Sequence, residues 1–204
     1  MTSGASAGAG SARRAAPPPE GSALTDADGE ALVRVAREAL EAHFARRRTG
    51  SEAPPRPALC EPRGAFVTLH QRVTDELRGC VGLLRSDRPL AETVAEVAVS
   101  AATADRRFAP VTADELPVLR IEVSALGAMR PVRPEEVEVG RHGLLVCHAG
   151  RRGVLLPQVP VEHGWDRETF LDQACVKAGL APGTWREQGV ELLAFTAEVF
   201  GEAG

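Results

Sequence analysis

Leu119, Ile121 and Val123 alternate with Arg120, Glu122 and Ser124, and this two-residue period constrains the fold more than any other feature of the chain. Successive side chains of a strand point to opposite faces, so one face of this segment is apolar and the other polar. The segment therefore reads as a half-buried strand. Gly64 to His70 is a second strand, rich in β-formers at Ala65-Phe66-Val67-Thr68-Leu69. A short polar turn leads from it into Leu77-Arg78-Gly79-Cys80-Val81-Gly82, read as its paired strand. Gly143–Cys147 and Gly153–Leu156 form a further hairpin with its tip at Ala149-Gly150-Arg151-Arg152. Residues 190–200 read as one last strand, with Leu193, Phe195, Ala197 and Val199 on one face.

Three segments carry the other period. Leu32, Val35, Ala36, Ala39, Leu40 and Phe44 recur at steps of three and four, which predicts a helix over 27–47. Arg46, Arg47 and Arg48 fall in its last turn, where cations complement the helix dipole. Pro89 suits a first turn, and Leu90, Val94, Val97, Ala98, Ala101 and Ala102 give an apolar stripe to Ala104. A third helix is expected over 167–178, entered through Asp166 as cap with Trp165 packed beneath, and closed by Gly179. Thr112 and Glu115 have capping-box spacing, with Pro117 limiting any helix there to one turn. Hairpins with interspersed helices predict an α+β fold: a mainly antiparallel sheet flanked by helices.

The 204 residues suit one domain plus a tail. Residues 1–23, rich in Ala, Gly, Ser and Pro, offer almost nothing to a core and are read as a disordered N-terminal tail; residues 24–204 are the domain. Residues 49–63, with Gly50 and four prolines, read as a loop. A formal charge of −4 argues against a nucleic-acid binder working by bulk electrostatics. No stretch approaches the ~18–20 apolar residues that cross a bilayer, so no membrane partner is expected. Cys60, Cys80, Cys147 and Cys175 form no C-x-x-C pair, no His spacing completes a zinc signature, and no apolar leader is evident. Reduced thiols in the cytoplasm are the expectation.

Leu77-Arg78-Gly79-Cys80-Val81-Gly82 resembles the hallmark hexapeptide of the AmmeMemoRadiSam system protein A family, also called the AMMECR domain. Further blocks follow in the family's order. Asp105-Arg106-Arg107-Phe108-Ala109-Pro110 resembles its D-x-R-F-x-P stretch, and Glu115-Leu116 with Ile121-Glu122-Val123-Ser124 its next strand. Gly140-Arg141-His142-Gly143-Leu144 resembles its G-[KR]-H-G-[LI] turn. Leu156-Pro157-Gln158-Val159, Glu162 and Gly164-Trp165-Asp166 resemble its L-P-Q-V…E…G-W-D block, and Lys177-Ala178-Gly179-Leu180 closes the match. Val81 stands where Ile is usual, and Pro160 where Ala is expected. The resemblance implies a larger and a smaller lobe separated by a cleft. It also implies a genomic setting that encodes a Memo-like protein and a radical-SAM enzyme as partners. It implies no established reaction.

Cys80 is the sharpest chemical candidate, because Gly79 and Gly82 let another chain or ligand approach the backbone closely. Arg78 and a nearby histidine would favour the thiolate, the reactive form of the thiol. The competing reading is a small buried hydrophobe in a strand. His142 is the candidate base for a Cys–His dyad, against a role as a hydrogen-bonding residue of its own turn. Arg107 is a candidate clamp for a carboxylate or phosphate, against an anchor of the helix end through Asp105. Gln158 and Glu162 follow a strand end where side chains can face a cleft, Glu162 as general base and Gln158 with Arg78 and Arg107 as substrate contacts. Cys80, His142 and Glu162 are acceptable ligand types for zinc or iron, but their separation in sequence supports no metal, and no cofactor is named.

Two functions are consistent with these residues. One is a cysteine-dependent cleft enzyme, or component of an AmmeMemoRadiSam-type system, acting on a small anionic metabolite or a protein side chain. The other is a non-catalytic protein-binding module or scaffold for the Memo-like and radical-SAM partners.

Overall fold

The computed structural model describes residues 23–46 and 56–202. The tail, apart from Ala23, and the loop as far as Pro55 lie outside them, as do Arg47 and Arg48. Helix α1 runs Asp26–Phe44 and opens on a capping box, in which Thr25 Oγ1 accepts from Asp28 N and Asp28 Oδ2 accepts from Thr25 N. Strands β1 (Ala65–Gln71) and β2 (Leu77–Leu83) form the first hairpin, and α2 (Leu90–Thr103) follows. Strand β3 (Leu119–Leu126) leads through β4 (Arg130–Pro131) to the second hairpin, β5 (Gly143–His148) and β6 (Arg151–Leu155). A single helical turn α3 (Gln158–Glu162), helix α4 (Arg167–Lys177), and strands β7 (Glu191–Phe195) and β8 (Ala197–Gly201) complete the chain.

The strands make two four-stranded antiparallel sheets, in the orders β2-β1-β3-β8 and β4-β7-β5-β6. The α+β class is therefore as expected. The periods read from sequence place the cores. In β3, Leu119, Ile121 and Val123 are fully buried, joining Val67 and Leu69 of β1 beneath Leu32, Ala36 and Leu40 of α1 and Val94, Val97 and Ala98 of α2. A second, smaller core gathers Leu144, Val146, Leu192 and Ala194 of the second sheet with Phe170, Leu171 and Ala174 of α4. No helix among the described residues is long and apolar enough to cross a membrane.

Three local readings need correction. Residues 190–200 are not one strand: the chain leaves the second sheet at Phe195 and enters the first at Ala197. The β3–β4 segment makes the opposite crossing, and Gly127 N donates to Thr196 O at 2.8 Å where the two pass. The single apolar face expected over both strands breaks at this switch: Leu193 and Phe195 are buried in the second sheet, but in β8 Val199 is exposed and Phe200 packs on the first core. The second hairpin turns on Ala149 and Gly150 alone, both with positive φ (48° and 78°), and Arg151 and Arg152 belong to β6. Gln158 and Glu162 stand in α3 rather than at an extended strand end.

Candidate site at the edge of the first sheet

Strand β2 is an outer strand of its sheet, so half of its backbone groups face away from the ladder. Cys80 sits opposite Thr68 of β1. Its own N–H turns outward and donates to Asp105 Oδ2 at 2.8 Å, and its carbonyl lies 3.5 Å from Arg107 Nη2. Arg107 in turn grips Asp105 twice, through Nε to Oδ1 (3.0 Å) and Nη2 to Oδ2 (2.7 Å). A carboxylate and a guanidinium thus cap the strand edge at the one residue that carries a thiol. Arg107, together with the amides of Cys80 and Arg107, holds the Asp105 carboxyl well below the usual carboxylate range.

The hexapeptide glycines are explained by close approach. A Cβ on Gly79 would stand 2.3 Å from the Ala101 carbonyl oxygen at the end of α2, and one on Gly82 would meet the Phe66 ring at 2.2 Å. Arg78 already holds an anion of the chain itself. Its guanidinium holds both carboxylate oxygens of Glu115 (2.8 and 3.1 Å) and reaches the carbonyls of Ala109 and Pro110. Glu115, lowered below its ordinary value first by Arg78, also accepts from Thr112 N in the capping box expected from sequence. Arg78 therefore pins the 105–115 segment against β2.

The thiol itself is half-buried, on the sheet face turned away from α1 and α2. Thr68 Oγ1 lies 3.4 Å from Cys80 Sγ with the hydroxyl as donor. Antiparallel register puts Cys80, Thr68 and Glu122 in one cross-strand row of that face, with His70 and Arg120 in the next. His70 Nδ1 lies 3.1 Å from the Asp75 carbonyl oxygen, and Arg120 is paired with the Asp75 carboxylate. Thr68 and His70 escape a motif-led reading of the sequence. Their signal was the period of β1, in which Phe66, Thr68 and His70 fall opposite the buried Ala65, Val67 and Leu69.

The remaining candidates belong to the second sheet's side of the molecule. His142 precedes β5 and is 2% exposed; its Nδ1 accepts from Glu138 N at 3.1 Å, and Arg130 Nη2 lies 3.4 Å from Nε2. Among the described residues no histidine is a hydrogen-bond partner of Cys80. Glu162 is exposed at the end of α3 and Gln158 half-buried at its start. Asp166 caps α4 by accepting from Thr169 N at 2.8 Å, and Trp165 packs on the second core, as read from sequence. Among the described residues no three His, Cys, Asp or Glu side chains are grouped to hold a metal ion. The structure thus brings Cys80 and Arg107 together, with Arg78 behind them in the same edge.

These features define a class: a two-sheet α+β protein in which a signature thiol sits on a strand edge capped by an ion pair from a distant motif. The AMMECR1 family model matches residues 33–200, and the chain belongs to the AMMECR1 family. A protein from Aeropyrum pernix is 49% identical over 201 residues, covering 94% of this chain and 86% of its own, and one from Methanopyrus kandleri is 44% identical over 190 residues, covering 89% and 92%. The crystal structure of the uncharacterised protein PH0010 from Pyrococcus horikoshii is similar with a TM-score of 0.81 at 39% identity, over 88% of this chain and 93% of that one.

Proposed function

We propose that the chain acts through Cys80, as a cysteine-dependent enzyme or enzyme component that takes a small anionic metabolite or a protein side chain. One observation carries this reading. Two motifs 25 residues apart converge on a half-buried thiol, with a hydroxyl donor at its sulfur and an Arg107 side chain that remains 57% exposed beside it. A guanidinium held by one carboxylate keeps donors to spare for a second anion. The test is the rate of labelling by a thiol probe at neutral pH, resolved cysteine by cysteine. Cys80 is expected to react faster than Cys60, although Cys60 is the more exposed thiol. A slower Cys80 would remove the reading.

The family resemblance supports a Memo-like protein and a radical-SAM enzyme as partners in the cytosol, where thiols stay reduced. Co-elution of the three purified proteins on gel filtration tests this; separate elution at micromolar concentration opposes it.

A second reading, the binding module, is favoured by Arg78. Its guanidinium is consumed by Glu115 and two carbonyls, so that signature residue builds surface rather than chemistry. Under this reading Cys80→Ser leaves partner affinity and system activity intact.

A further inference from the structure

We propose that His70 is the proton acceptor of Cys80, which deepens the cysteine-centred reading above and rests on it. The argument begins with register. Cys80 is opposite Thr68, and its N–H points outward to Asp105, so the two form a non-hydrogen-bonded pair, the closer kind at about 4.5 Å between Cα atoms. His70 lies two residues along β1 on the same face. Diagonal neighbours of an antiparallel pair are about 7–8 Å apart, a spacing an aromatic ring can span. No hydrogen bond joins Nε2 to Sγ in this structure, so the proton passes when the pair closes from this arrangement. The ladder then breaks: Leu69 pairs with Gly79 but His70 with Leu77, leaving Arg78 as the extra residue of a bulge. Bulges re-aim side chains, and this one turns Arg78 out to Glu115 and leaves the His70 ring on the thiol's face.

The tautomer suits a base. The partner of Nδ1 is a backbone carbonyl, which only accepts, so Nδ1 carries the proton and Nε2 the lone pair. Nε2 has no hydrogen bond to a described residue. His142 is arranged the other way, its Nδ1 lone pair already engaged by the Glu138 amide. The step is a proton transfer alone: the S–H bond of Cys80 breaks, the N–H bond at Nε2 forms, and thiolate and imidazolium result without any oxidant. Thr68 Oγ1 then donates to a full negative charge at Sγ.

The charges around the ring are few. Asp75, on the β1–β2 turn, has its carboxylate 3.8 Å from Nδ1 but is paired with Arg120 of β3, which depresses it. Glu122 of β3 stands in the Cys80–Thr68 row, and from β2 Arg78 is spent on Glu115. On the sulfur's side Asp105 and Arg107 neutralise each other.

The test is iodoacetamide alkylation of Cys80 in the full chain from pH 5 to 10, read by peptide mass spectrometry, for the wild type and His70→Gln. The Gln amide can still donate to the Asp75 carbonyl. In the wild type the rate is expected to level off near neutrality; in His70→Gln it follows an ordinary thiol of about 8.5 and is about tenfold lower at pH 7. A wild type that already titrates as an ordinary thiol overturns both this inference and the reading beneath it. A reactive Cys80 untouched by His70→Gln overturns only the role of His70. Because that variant can weaken the turn, a second measurement leaves His70 in place: the His70 ring is titrated by NMR in the wild type and in Cys80→Ser. Loss of the thiolate is expected to move its midpoint down, and an unchanged midpoint refutes the pairing.

Discussion

Cys80 N–H donates to Asp105 Oδ2 at 2.8 Å, so a side chain occupies the place a neighbouring strand would take on β2. The carboxylate is 7% exposed, and its other partners are Arg107's own amide and guanidinium. Replacing it strands a backbone donor and an arginine together. Asp105→Ala is expected to cost about 1–3 kcal/mol, the usual penalty for leaving a buried donor unpaired. Urea denaturation checks it; a loss within error would show that water replaces the carboxylate without penalty.

The same group makes stability depend on acid. Its native pKa is depressed by Arg107 first, so its contribution is complete above the unfolded value of about 3.9 and is lost as pH falls from there towards the lower native value. Asp105→Asn cannot titrate. Its stability is expected to fall less steeply than the wild type's between about pH 4 and 2, and parallel curves over that window would contradict the assignment.

Gly79 separates packing from chemistry in the hexapeptide. A methyl there meets the Ala101 carbonyl, a backbone atom at the end of α2 that cannot swing aside, whereas the Gly82 neighbour is chiefly the Phe66 ring. Overpacking a well-filled contact costs about 1–3 kcal/mol. Gly79→Ala is expected in the upper part of that range as measured by denaturant midpoint. A neutral outcome would mean that α2 slides freely on β2.

The buried His142 supports a structural prediction. Its Nδ1 is the acceptor for the Glu138 amide. His142→Ala removes the acceptor and opens a cavity, for about 1–3 kcal/mol from the unpaired amide alone. His142→Asn places an oxygen close to the position of Nδ1 and should retain much of that stability. Equal losses in the two variants would rule out the acceptor role.

How much of this was legible beforehand follows from the range of the forces involved. Capping is local, so Thr112 with Glu115 and Asp166 with Thr169 could be read from spacing. Burial periods are local too, and they located β3, α1 and α2. Pairing is not local. Nothing near Cys80 in sequence reveals that its edge is closed by Asp105 and Arg107, or that its row in the sheet is shared by Thr68 and Glu122. Nor does composition distinguish an arginine that binds substrate from one already committed to Glu115. The switch at Thr196 escaped because Leu193, Phe195, Ala197 and Val199 alternate in sequence whichever sheet they join, while in β8 it is Phe200 that packs on the first core and Val199 that is exposed.

The two-residue turn of the second hairpin yields the one stabilising change. Ala149 has φ of 48° and Gly150 φ of 78°, which is the left-handed pair that a type I′ turn requires. Glycine adopts that region freely, but alanine places Cβ against the following carbonyl at a cost of roughly 1–2 kcal/mol. Asn-Gly is the preferred dipeptide for this turn because asparagine tolerates the conformation. Ala149 is exposed, so the substitution touches no core. Ala149→Asn is expected to raise stability by about 0.5–1 kcal/mol, a part of that cost, measured as an increased denaturant midpoint with unchanged slope. Ala149→Pro, whose ring fixes φ near −65°, should do the reverse and unpair β6 from β5. Stabilisation by proline, or loss of stability with asparagine, would show that the hairpin turns by a different geometry.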